Sequence, residues 1–232
     1  MADINVLCTQ IKERFSDWIE SATVALGEAT VEVSPDHLLE LCKVLHEDPA
    51  YHFDMLVDVC GVDYLHYGVD DWQTHTATTS GFSRGVTSEP IRVEAKRPTR
   101  FAVVYHLLSI SNNQRLRLRV NLPNENSLMV DSVMSIWNSA DWFEREAFDL
   151  FGIMFKGHPD LRRILTDYGF SGHPFRKDFP LIGKVEARYD AALRRVIYEP
   201  VSIEMRTLEP KVIRQDHRYQ VDKTDQDNGS AN

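Results

Sequence analysis

A chain of 232 residues, 43% hydrophobic and 26% charged, has the size and balance of a globular protein with one sizeable core. Its formal net charge of −9 argues against a nucleic-acid binder, which needs a basic face. No apolar run approaches the ~18 residues that suggest a membrane span. The N-terminus MADINVLCTQIKERF, with Asp3, Glu13 and no apolar core, resembles neither a secretory signal nor a transit peptide, so the chain is placed in the bacterial cytoplasm.

Residues 4–26 carry Ile4, Leu7, Ile11, Phe15, Trp18 and Ile19 at three- and four-residue steps, which predicts an amphipathic helix. A short strand is expected over 29–33. Ser34-Pro35-Asp36 then supplies a cap, with Pro at the first helical position, for a helix through about His46. The run 53–65 (FDMLVDVCGVDYL) is rich in apolar and β-branched residues and reads as a buried strand, bent or bulged at Gly61. Residues 66–98 are polar and aperiodic, and read as an exposed loop insertion.

Phe101–Ser109 and Arg115–Leu122 form the clearest hairpin. Arg115, Arg117 and Arg119 alternate with Leu116, Leu118 and Val120, as a sheet with one wet face requires. Asp131 is expected to cap a short helix through Trp137, and Asn138 or Ser139 to open another ending at Gly152. Beyond Gly152 periodicity fades into extended chain with turns at Gly157, Gly169 and Gly172. Val196–Ile203 predicts one late strand, held to an edge by Pro200, and the polar tail is expected to be disordered. The fold class is therefore α+β: a small mixed or antiparallel sheet with helices packed on it, followed by an extended C-terminal segment. The division expected is a core over 1–152, an extended docking segment over 153–215 and a tail over 216–232.

Cys8, Cys42 and Cys60 stand far apart, without a CxxC or a His at ligand spacing. They fit inert thiols in a reducing compartment better than an iron–sulfur site, which takes four thiolates. The densest mixture of reactive residue types lies between Glu144 and Gly183. Glu146 and Asp149 share a helix face, and Arg145 and Asp149 stand at i, i+4, a favourable pairing distance. Two carboxylates on one face suit an acid–base pair or a hard cation. Arg162, Arg163, Arg176, Lys177 and Arg194 follow closely and favour an ion-pair network instead. His158 and His173 each sit in Gly-His-Pro, where a ligand role competes with a structural one. The sequence holds no GxGxxG after a strand, no GxxxxGK[ST] and no GxSxG.

The string Glu144-Arg145-Glu146, Phe148-Asp149-Leu150-Phe151-Gly152, then His158-Pro159-Asp160-Leu161-Arg162-Arg163-Ile164-Leu165 closely resembles the signature of the 30 kDa subunit family of respiratory complex I, the NADH–quinone oxidoreductase of bacteria. Thr166-Asp167-Tyr168, Gly172-His173-Pro174 and Arg176-Lys177-Asp178-Phe179-Pro180 continue the likeness. VIYEPV at 196–201, the VVYHL strand and the 54–64 run extend it over most of residues 1–205. Phe175 and the long 66–98 loop depart from the usual pattern.

The resemblance implies a non-catalytic structural and assembly subunit of the hydrophilic arm, beside the quinone-site subunit of the 49 kDa type. It implies no cofactor in this chain, with FMN and Fe–S clusters in partner subunits. It also implies peripheral attachment to the cytoplasmic side of the inner membrane. Glu144, Arg145, Glu146, Asp149, His158, Arg162, Arg163, His173, Arg176 and Asp178 would then form the signature and docking set. Arg162 and Arg176 are expected to bind the partner more than they hold the fold. Two other readings remain: the equivalent subunit of an energy-converting hydrogenase or another dehydrogenase, and a free metal-dependent enzyme using Glu146, Asp149, His158 and His173.

Overall fold

A computed structural model describes residues 4–65, 67 and 99–203. Among these, 4–65 and 99–181 form one compact unit, and 67 with 182–203 belongs to a second. The 66–98 insertion, apart from Tyr67, and the tail from 216 lie outside the described residues.

The first unit is built on a five-stranded mixed sheet in the order β1-β2-β5-β4-β3. Its strands are β1 (Ile19–Ala25), β2 (Glu28–Val33), β3 (Met55–Asp63), β4 (Phe101–Ser109) and β5 (Gln114–Leu122). All pairs are antiparallel except β2 with β5, where Thr30–Val33 runs beside Arg117–Val120. Helices α1 (Ile4–Arg14), α2 (Leu38–Glu47) and α3 (Ala140–Phe151) contribute buried residues to the same core. Phe101, Val103, Tyr105 and Leu107 of β4, with Leu116, Leu118 and Val120 of β5, make its centre. The alternating arginines emerge on the other face, where Arg117 pairs with Glu28 and Arg119 with Glu32. Cross-strand pairing of this kind suits an exposed sheet face.

Two expected helices differ. The 4–26 helix stops at Arg14, because Ile19–Ala25 turns back on β2 through Leu26 and Gly27, both at positive φ. Two such residues make the tight hairpin whose twist suits antiparallel strands. Leu26 is an unusual choice there and hides the turn. The Asp131–Trp137 helix is instead the short strand β6 (Met129–Asp131) followed by turns. β6 pairs in parallel with β7 (Met154–Lys156), so the chain before and after α3 is tied together. In the second unit β8 (Val185–Asp190) and β9 (Arg195–Pro200) form an antiparallel hairpin, so the late strand has a partner in Val185–Asp190, whose alternation of apolar and charged residues the sequence reading passed over.

The bulge in β3 falls between Leu56 and Asp58, not at Gly61. Gly61 has a different task. A Cβ there would stand 2.6 Å from Cδ2 of Phe151 and 3.1 Å from Cδ1 of Ile153, so glycine lets the end of α3 lie flush on the strand. Gly61→Ala is expected to destabilise the chain by about 1–3 kcal/mol in urea unfolding. Combined with Phe151→Leu, the loss should be smaller than the sum of the two single losses; strict additivity would mean that the contact is not what matters.

Candidate functional site

The residues singled out between Glu144 and Gly183 gather at α3 and the irregular strap that follows it. Asp149 is the hub. Its side chain is fully buried, and Oδ2 accepts from three successive amides, Ile164 (3.1 Å), Leu165 (2.8 Å) and Thr166 (2.8 Å). Oδ1 accepts from the Thr166 hydroxyl and from Nη1 of Arg163 at 3.1 Å. The same Arg163 nitrogen donates to Thr166 Oγ1 and to the Gly172 carbonyl, both at 3.0 Å. Burial favours the neutral acid, but the hydrogen bonds from Thr166, Leu165 and Ile164 outweigh it and hold the Asp149 pKa down to about 2. A run of amides converging on one carboxylate works like an anion nest, with the anion supplied by the protein itself.

The second Gly-His-Pro caps the helix. The last carbonyls of an α-helix lack intrahelical donors. Here Nδ1 of His173 donates to the Asp149 carbonyl at 2.9 Å, the Phe175 amide to Leu150 at 3.1 Å, and Nε of Arg176 to Phe151 at 2.7 Å. Gly152, at φ 74°, closes the helix in the left-handed conformation. A Cβ there would stand 2.5 Å from Nε2 of His173 and 2.7 Å from Nη2 of Arg176, so the glycine also admits the capping side chains. A cation at a helix C-terminus is further favoured by the helix dipole.

A second anchor holds the strap farther on. Arg100 makes a two-pronged ion pair with buried Asp63, at 3.0 and 2.9 Å, and reaches Asp178 at 3.0 Å. Asp63 also accepts the Lys177 amide at 2.8 Å. Burial raises the Asp63 pKa, yet Arg100 and the amides of Lys177 and Leu65 bring it below the ordinary value. The guanidinium of Arg176 lies over the ring of Phe101, 5.2 Å from its centroid.

The remaining signature residues divide by task. Glu144 is buried and accepts from the Ser132 hydroxyl (2.6 Å) and the Val133 amide (2.8 Å), tying the turn after β6 to α3. Burial pushes its pKa up to about 7 against those two bonds, and the Asp141 carboxylate adds to the rise. Arg145 does not pair with Asp149 at i, i+4. It donates to the Arg162 carbonyl at 3.3 Å and covers the Trp142 ring, while Arg163 takes the aspartate. Arg162 is exposed and bonds Asp160 at 3.0 Å. Nδ1 of His158 accepts the Asp160 amide at 3.1 Å, which leaves the proton on Nε2, 3.3 Å from Asp141 Oδ1. Arg176 caps the end of α3 within the fold, a task its place in the sequence does not announce.

The four residues weighed as a metal set do not converge. Glu146 is exposed, Asp149 is saturated by donors, and each histidine is committed to a local bond. One other group brings possible ligand atoms together among the described residues: Asp58, Cys60 and His106 on the outer sheet face, all within 4.8 Å. Its chemistry is adverse. Nε of Arg117 donates to Nε2 of His106 at 3.1 Å, so the ring proton sits on Nδ1, the atom facing Asp58. Burial and the Asp58 carboxylate push the Cys60 thiol up to about 11, away from the thiolate that binds metal. Between β3 and α3 a cleft of about 170 Å³, lined in part by Glu146, Phe151 and Phe175, falls short of the ~300–1,000 Å³ of small-molecule sites.

Sequence reasoning missed Asp63, Arg100 and Thr166. Asp63 and Arg100 lie 37 positions apart and meet only through the β3–β4 pairing. Thr166 stands in the quoted signature, but its hydroxyl's role depends on the strap folding back over α3.

Asp149→Asn is expected to cost about 3–5 kcal/mol of stability, as for breaking a buried pair. The Asp149 contribution is complete above the unfolded pKa of ~3.9 and lost as pH falls towards 2. Glu144 has the opposite sign: its folded pKa lies above the unfolded ~4.3, so its contribution weakens as pH rises from about 4.3 to 7. Unfolding titrations of Glu144→Gln should show that this decline is gone, and an unchanged slope would refute the assignment.

The pattern of the respiratory-chain NADH dehydrogenase 30 Kd subunit family matches residues 31–185. The C-type subunit of the NADH-quinone oxidoreductase of Coxiella burnetii (strain Dugway 5J108-111) is 55% identical over 99% of this chain and 100% of its own length. Its namesake in Hydrogenovibrio crunogenus is 57% identical over 89% of this chain and 93% of its own. A chain in the structure of the membrane-bound sulfane sulfur reductase, an archaeal respiratory membrane complex, shares the fold at 18% identity and a TM-score of 0.53, over 77% of this chain and 86% of that one. The chain belongs to the 30 kDa subunit family of respiratory-chain NADH dehydrogenases.

Proposed function

We propose that this chain is a non-catalytic structural and assembly subunit of the hydrophilic arm of a proton-translocating NADH:quinone oxidoreductase. The observation that carries the reading is the strap. Its backbone has no regular secondary structure, yet it is fixed at Asp149, at the α3 C-terminus and at Asp63. On that fixed backbone Leu165, Tyr168, Phe175 and Leu181 are exposed, Tyr168 and Leu181 fully. Rigid aromatic and aliphatic side chains held outward are the usual anchors of a protein interface, because little ordering entropy is lost on binding. Asp149, His173 and Arg176, which would be candidates for chemistry, are engaged in holding the strap.

On this reading the partner is another member of the complex, the quinone-site subunit of the 49 kDa type, and FMN and the iron–sulfur clusters reside in other subunits. Among the described residues no helix is long and apolar enough to cross a membrane. Attachment to the cytoplasmic side of the inner membrane would then come through partners. Identities of 55–57% to proteins named for NADH–quinone oxidoreductase favour this complex over a related hydrogenase.

Replacing Leu165 and Tyr168 together by Ala should leave the stability of the purified chain within about 0.5 kcal/mol, since both are surface positions. Recovery of the other subunits with the tagged chain from solubilised membranes should fall about tenfold or more, as expected for a hot-spot pair. Full recovery, with NADH-dependent quinone reduction unchanged when the chain is deleted, would sink the assignment.

A further inference from the structure

Glu144 is completely buried, yet its carboxylate faces no cation among the described residues. The titratable groups that act on it are Cys42 of α2, Tyr105 of β4 and Asp141 of α3 itself. All three are anions when charged, and Asp131 at the end of β6 stands as another beside Tyr105. The Tyr105 hydroxyl is sealed in the same core without a hydrogen-bond partner among the described residues. A buried carboxylate in such surroundings is held far more easily as the neutral acid than as the anion. What Glu144 grips is equally specific. The Ser132 hydroxyl that it meets at Oε2 belongs to a residue whose amide donates to the carbonyl of Lys156, the last residue of β7, at 2.9 Å. Ser132 Oγ also accepts the Met134 amide at 3.2 Å. One serine therefore fastens α3 to the point where the chain leaves β7 for the strap. β6 and β7 are three residues each and form a sheet of their own. Two strands alone are marginal in water.

We infer that Glu144 is a proton-operated latch: as the neutral acid it keeps the Ser132 turn closed on α3, and its ionisation loosens the β6–β7 pair at the root of the strap while the five-stranded sheet stays folded. Both contacts survive protonation. The acid proton on Oε2 is donated to Ser132 Oγ, 2.6 Å away, and Oε1 still accepts the Val133 amide. When the proton leaves to water, the same two bonds must hold a buried anion, and they do not replace its lost hydration. The Glu144 pKa of about 7, against ~4.3 for a solvated glutamate, agrees with that balance. The closed form binds the proton more tightly than the open form. Opening is therefore opposed below pH ~4.3, grows as pH rises from there to about 7, and levels off above it. The latch is a property of the chain itself and does not depend on which partner the strap meets.

Amide hydrogen exchange of the full chain, followed from about pH 5 to 8 and divided by the intrinsic rate at each pH, tests the latch. The amides of Ser132, Val133 and Met154 should report an opening equilibrium that rises at least about tenfold between pH 5 and 7 and then flattens. Their exchange should stay faster than that of β4 and β5 amides at every pH and be insensitive to low urea, as a local opening exposes little surface. Glu144→Gln keeps the shape but cannot ionise, so the pH dependence of these three amides should disappear. Ser132→Ala leaves Glu144 in place and removes one donor to the anion, so the flattening should move to higher pH. Exchange of the three amides at the rate of β4 and β5 would overturn the inference, since only global unfolding would then respond to pH. A pH dependence retained in Glu144→Gln, or a flattening unmoved in Ser132→Ala, would overturn it as well.

Discussion

The carboxylate of Asp149 fixes the first part of the strap that follows α3. An extended segment of mixed composition loses much chain entropy if it is to hold one conformation, roughly 1–2 kcal/mol per residue for the backbone alone. Three successive amides, a hydroxyl and a guanidinium directed at one buried anion offset a large part of that loss locally. Charge-assisted bonds in a dry site are the stronger kind. The hydrogen-bonding demands of the helix end are met by the same strap, through His173, Phe175 and Arg176. Helix and strap therefore satisfy one another.

That mutual satisfaction gives residues of types usual in active sites a structural task. A general base needs a free lone pair, and a metal ligand needs an open coordination direction. Asp149 has spent its lone pairs on the strap, His158 and His173 are committed to local backbone or carboxylate bonds, and Asp63 is clasped by Arg100. What the arrangement produces is position: Leu165, Tyr168, Phe175 and Leu181 are exposed on a strap that Asp149, the end of α3 and Asp63 hold in place. The depressed pKa of Asp149 and the raised one of Glu144 follow from the same contest, hydrogen bonding winning in the first case and burial in the second.

Much of this is legible in the chain itself. β5 appears from strict alternation, β2 and α2 from their pattern, and the end of α3 from Gly152; the expected Ser34 cap does not form, and a 3-10 turn at Pro35–His37 precedes α2, which begins at Leu38. Legibility fails where a local signal is overruled. Trp18 and Ile19 continue a helical step, but Gly27 and its neighbour fold the segment into β1. The i, i+4 spacing of Arg145 and Asp149 suggests a pair, but Arg163 arrives from outside the helix with better geometry and leaves Arg145 to the Arg162 carbonyl. Gly61 looks like a strand irregularity, when its need is for space beneath Phe151.

By itself the sequence determined the elements that depend on neighbours within a few positions: alternation, capping, turn residues, and the ordered signature that marks the family. Only the tertiary structure decided which carboxylate meets which donor. Asp149 with 164–166, Asp63 with Arg100 and Lys177, and Glu144 with Ser132 are each separated by at least 12 positions. The pairing of β8 with β9 became visible only once their register was fixed. Local preferences choose among backbone conformations, but a buried charge must be satisfied by whatever the folded chain brings beside it.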